Sequence, residues 1–147
     1  MSLDDATLLC ARRHTKLGWR LLLLFLTLGI ALELMHGLKL RLYLDVNNET
    51  RRLMWTLAHA HGTLLALVHL AFAASVRAES QGDPPWRRRA SRFLSGASIL
   101  LPAGFFLGGV VVHGSDPWIG IVLVPVGALL LLAGVASACL GFAGRGG

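Results

Sequence analysis

Four apolar blocks, near residues 17–40, 53–76, 92–113 and 118–142, constrain this chain more than any other feature. Each is about as long as the ~20 helical residues needed to cross a ~30 Å hydrocarbon core. Lipid offers backbone amides no hydrogen-bond partner, so a spanning segment must be a helix or a strand of a closed barrel. The blocks carry no charge runs and lack the two-residue alternation of barrel strands, which leaves helices. The sequence therefore predicts an all-α, integral membrane four-helix bundle. Composition agrees: 54% of the 147 residues are hydrophobic and 15% charged, with the apolar residues gathered into blocks. The first block is too long for a cleavable signal peptide and follows sixteen polar-rich residues that include Asp4 and Asp5. It is expected to remain as a span.

The net charge of +6 resides mainly at span ends, where orientation signals belong, so no nucleic-acid partner is expected. Arg12, Arg13, Lys16, Arg20, Arg77, Arg87, Arg88, Arg89, Arg92 and Arg145 share one side; Lys39, Arg41, Arg51 and Arg52 lie on the other. The positive-inside rule makes both termini cytoplasmic, N-in and C-in. Residues 1–16 then form a cytoplasmic segment, either a short surface helix started by Ser2 and Asp5 or a frayed tail, and 17–147 form the bundle. Arginine-rich, lysine-poor usage suggests a GC-rich bacterium and hence its inner membrane, so the formal glycosylation acceptor at Asn48 is discounted. Trp86 and Arg87 to Arg89 would anchor the inner face at the headgroups. Cys10 and Cys139 both fall toward the reducing side, where a disulfide is not expected.

Gly120, Gly127, Gly134 and Gly141 recur every seven residues, a spacing that drifts only ~20° per step around a helix. They form a seam for close packing, within the bundle or between copies in a homo-oligomer or larger membrane complex, and Gly104 with Gly108 offers a complementary groove. Pro102 and Pro125 should kink the last two spans. "HGSDPW" is a tight turn that makes those spans an antiparallel hairpin.

Ionisable residues inside spans are costly and usually functional. Glu33, His36, His59 and His61 fall within about 5 to 12 Å of the outer surface, with His113 at its edge, while His69 stands ~12 Å deeper. Glu33 and His36 share a face; His59 and His61 point about 200° apart, so one should join Glu33 and His36 and the other should face span three or four. His61 is favoured for the site because Gly62 leaves room beside it. Haem b could be held by His36 with His61 or His59. Alternatively a single iron, copper or zinc ion could take Glu33, His36, His59, His61 or His113. The same residues could instead relay protons in a small transporter, or simply hydrogen-bond between helices at ~0.6 kcal/mol per contact in a ligand-free structural subunit. No serine or cysteine is evidently coupled to a base, so the chain is not expected to be an enzyme on its own.

The segment "RRLMWTLAHAHGTLLAL" resembles histidine-bearing helices of haem-copper oxidase subunit I and of nitric-oxide-response membrane proteins. It is also similar to small bacterial four-helix membrane proteins with a glutamate late in span one and His-x-His early in span two. The resemblance covers at most the first half of the chain. It implies haem or metal binding around His59 and His61, in electron transfer, metal handling or assembly of a respiratory complex. An oxidase would need further histidines that this chain lacks.

Overall fold

A computed structural model describes residues 3–45, 49–78 and 84–143. Ser2, Asn48 and Arg145, which figure in the expectations above, lie outside the described residues. Four helices dominate: α1 (Leu3–Gly37), α2 (Thr50–Ala78), α3 (Pro85–Val110) and α4 (Leu123–Ala143). All four belong to segments long and apolar enough to cross a membrane, the pattern of a multi-pass membrane protein.

No break occurs at residue 16. With 35 residues α1 is about 50 Å long, well beyond a ~30 Å hydrocarbon core. Nothing between Leu3 and Leu17 is glycine or proline, and Thr7, Ala11 and His14, spaced four and three apart, are buried on one face. Tertiary packing thus continues the helix through the segment expected to be a separate surface helix or a tail. At its other end α1 stops at Gly37, where Leu40 N–H bonds Met35 O and Lys39 N–H bonds His36 O, both at 3.0 Å. This is a Schellman closure with Lys39 in the left-handed region, φ 52°.

The helices pack in chain order, α1 on α2, α2 on α3 and α3 on α4. Short connections between antiparallel neighbours impose that order. The glycine seam runs along α3: Gly120, just before α4, lies against Leu107, and within α4 Gly127 lies against Leu101, Gly134 against Leu94 and Gly141 against Trp86. Gly104 and Gly108 supply the complement, meeting Val124 and Ile121. The seam is covered by α3 within the chain.

The third connection is a two-stranded hairpin, β1 (Val112–His113) antiparallel to β2 (Asp116–Pro117). Its two-residue turn begins with Gly114 at φ +61°, as in type II′ turns. A 3-10 turn, Ile119–Val122, then leads into α4. Pro125 falls in the first turn of α4, where its missing N–H costs no intrahelical bond, so the expected interior kink has no cause there. Pro102 does lie inside α3. At the same end Arg51 donates from Nε to Gly109 O (3.0 Å) and from Nη1 to Leu42 O (3.1 Å), and Trp55 Nε1 donates to Phe106 O (3.1 Å). A guanidinium on the last carbonyls of α3 suits the negative end of the helix dipole.

Gly127→Ala and Gly37→Ala test the seam as a pair. A Cβ at Gly127 would meet the Leu101 backbone nitrogen at 2.6 Å, whereas nothing lies within 4 Å of one at Gly37. Thermal unfolding in detergent should show the first variant destabilised by about 1–3 kcal/mol and the second unchanged or slightly stabilised. Equal melting points for the two variants would remove the seam from the account.

Candidate functional site

Two groups of histidines emerge, one where expected and one not. Glu33 and His36, both exposed on the last turns of α1, join His59 of α2 around a cavity of about 260 Å³ that Tyr43 and Thr56 also line. His59 Nδ1 lies 2.7 Å from Phe25 O. A carbonyl only accepts, so Nδ1 carries the hydrogen and Nε2 the lone pair. The ring rests on Gly29, where any Cβ would collide with it.

His61 is not among the residues lining that cavity. It stacks on Phe105 of α3, ring centroids 4.8 Å apart, and its Nδ1 donates to Leu57 O at 2.9 Å. The 200° separation therefore sends the two histidines to different helices as expected, but His59, not His61, joins Glu33 and His36. The room expected beside His61 at Gly62 is filled by the Phe25 ring. His113 sits exposed on β1 and does not line the cavity. Among the described residues no three His, Cys, Asp or Glu side chains are grouped so as to hold a metal ion.

The second group lies at the opposite end, where the N-terminal halves of α1 and α3 meet the C-terminal half of α2. His14 and His69 are fully buried, with Nδ1 to Nδ1 2.6 Å, and His14 Nε2 is 2.8 Å from Ser91 Oγ. Phe72 packs edge-on against His14, centroids 4.8 Å apart. One helical turn from Ser91, Arg87 is 1% exposed and donates from Nη1 to Thr7 Oγ1 at 2.7 Å. Of the polar side chains buried among the described residues, Thr7, His14, His69, Arg87 and Ser91 all belong to this knot, and only Ser98 lies apart from it. The buried polar side chains therefore concentrate here, whereas Glu33 and His36 of the expected layer are exposed.

Two tautomeric arrangements satisfy the chain of bonds. In one, Ser91 donates to His14 Nε2, His14 Nδ1–H donates to His69 Nδ1, and His69 carries its hydrogen on Nε2. In the other, His69 Nδ1–H donates to His14 Nδ1, His14 Nε2–H donates to Ser91, and His69 Nε2 is bare. Passing from the second to the first takes a proton in at His69 Nε2 and releases one from the Ser91 hydroxyl. In both, His69 Nε2 is buried without a hydrogen-bond partner among the described residues.

By sequence, His69 stands alone in depth and His14 falls in the segment before the first apolar block. The available signal was the Thr7, Ala11, His14, Gly18 stripe, whose three- and four-residue steps carry one face of α1 past the apparent start of the span. Gly18 lets Ala66 and Leu70 of α2 approach directly above the histidines.

No protein family matches the chain, and neither a curated protein nor a solved structure matches it.

The pair can be weighed by a double-mutant cycle. His69→Leu leaves a nitrogen of His14 unpartnered in a dry site and should cost about 1–3 kcal/mol, as should His14→Leu. The double variant should recover part of that loss, because both unsatisfied groups are gone. Strictly additive losses in thermal unfolding would show that the 2.6 Å contact contributes no coupling.

Proposed function

We propose that this chain is a small multi-pass protein of a bacterial inner membrane, with both termini cytoplasmic, that handles protons as a small transporter or a proton-coupled subunit. One observation carries the reading: a buried imidazole pair bonded to a serine hydroxyl, with the outer nitrogen of His69 lacking a partner. Packing alone would favour a fully satisfied pair, and an orphaned buried nitrogen asks for something to exchange with. Bonded imidazoles exchange a proton by the tautomer shift given above, each ring accepting at one nitrogen and releasing at the other. The basic residues concentrated at this end support its placement on the cytoplasmic side.

Ten residues, about 15 Å of helix rise, separate His69 from His59, where Glu33 and His36 supply further titratable groups toward the other face. Between the two levels stand Leu65, Ala66 and the Phe25 ring seated on Gly62, all apolar and buried. Proton passage therefore requires this plug to open or admit water, which makes Phe25 the gate in this reading. Liposomes containing the protein, with an internal pH dye and an imposed potential, should show proton flux above that of empty liposomes. The flux should be lost in His69→Gln and His14→Gln and raised in Phe25→Ala. Wild-type flux equal to the empty control refutes the proposal.

A second reading rests on His59. A metal-ligating histidine normally donates its other ring N–H to a carbonyl or carboxylate, as His59 does to Phe25 O. A single iron, copper or zinc ion at its Nε2 would require the exposed Glu33 and His36 to rotate inward. A haem there would need another axial ligand, since His61 is turned to Phe105. Elemental analysis and an absorption spectrum decide it: stoichiometric metal or a Soret band, lost in His59→Ala and kept in His14→Ala, is the outcome this reading requires.

A further inference from the structure

α1 and α3 touch at the buried knot but are not close-packed along the rest of their length, and a cleft stays open between them. One part of the cleft is an apolar groove of about 570 Å³, bounded by Leu24, Phe25 and Leu28 of α1 and by Ile99, Pro102 and Phe106 of α3. The adjoining part, sharing Leu21, Ser98 and Ile99 with the groove, is a cavity of about 360 Å³ lined by Arg13, Lys16 and Arg20. No acidic residue lines either part. Ser95 also lines the basic cavity, and its hydroxyl is buried without a hydrogen-bond partner among the described residues.

The register of these features along α1 is specific. Arg13, Lys16 and Arg20 occupy two turns of one face, and Leu21, Leu24, Leu28 and Ala31 continue that face. From Leu21 to Ala31 the rise is about 15 Å, half of a ~30 Å hydrocarbon core and so the depth of one leaflet. A soluble anion would leave the groove unexplained, and a neutral apolar ligand would leave three cations and a free hydroxyl unexplained. We infer that the cleft is a binding site for an anionic glycerophospholipid, with an acyl chain in the groove and the phosphate among Arg13, Lys16, Arg20 and Ser95. Basic groups facing lipid phosphate at a membrane surface favour anionic over zwitterionic headgroups. The site shares only the Phe25 ring with the proton path and uses none of the titrating groups, so its lipid-binding test is separate from the flux test.

Native mass spectrometry of the intact detergent-solubilised chain, titrated with phosphatidylglycerol or phosphatidylcholine, tests the inference. Phosphatidylglycerol should remain bound where phosphatidylcholine does not. The triple variant Arg13→Gln, Lys16→Gln, Arg20→Gln should weaken it roughly a hundredfold, about fivefold for each cation. Ala103→Trp, which blocks the groove without touching the cations, should displace the lipid while leaving the melting temperature of the lipid-free protein near wild type. Glycerol phosphate, a headgroup with no chain, should fail to compete. Equal retention of the two lipids by the wild type overturns the proposal even if the triple variant does not fold. Unchanged binding in Ala103→Trp, or competition by glycerol phosphate, also overturns it and indicates a simple anion site.

Discussion

Helices as apolar as these would gain nothing in lipid by hiding from their surroundings, because the surroundings are equally apolar, so their association rests on other interactions. Association has to come from backbones brought close together and from hydrogen bonds that lipid cannot supply. The chain uses one device for each half. α4 is held by its glycines, which let it lie directly on Leu94 and Leu101 of α3. α1, α2 and α3 are held by a polar knot in which each helix contributes a side chain that would otherwise be stranded.

The knot sits at one end only, and this asymmetry shapes the molecule. Where His14, His69 and Ser91 converge, the first three helices are locked together; beyond that level α1 follows α2 and leaves α3, opening the cleft. The opposite end is secured differently, by Arg51 and Trp55 reaching from α2 to the terminal carbonyls of α3. α1 thus presents two working faces. One carries His14 and the small residues that meet α2, and the other carries the cations and leucines that border the cleft.

The same economy explains why the buried pair invites a chemical reading and the outer group invites a different one. His14 and His69 are dry and bonded to each other, which suits proton exchange along a fixed line. His59, Glu33 and His36 border a cavity with two of the three side chains exposed, which suits an exchangeable ligand or water. Phe25 connects them physically: its carbonyl fixes the tautomer of His59 and its ring fills the space at Gly62.

Number of helices, their apolar length, the α4 seam and the tight third turn were legible in the amino-acid order alone. Each depends on a local property: hydrophobic length matched to a bilayer, a seven-residue repeat, a glycine at a turn. Which histidines meet was decided by tertiary structure. The start of the first span, judged from hydropathy, fell at residue 17, because a hydropathy block registers what lipid tolerates and not how far a helix continues under packing. That single displacement hid His14, and without His14 there was no partner for His69. Likewise the glycine beside His61 could be counted but not its occupant, since the Phe25 ring that fills it comes from another helix 37 residues earlier. Spacing along one helix sets the angle at which a side chain leaves it, while the residue it reaches depends on the neighbour's rotation and height, which no single segment encodes.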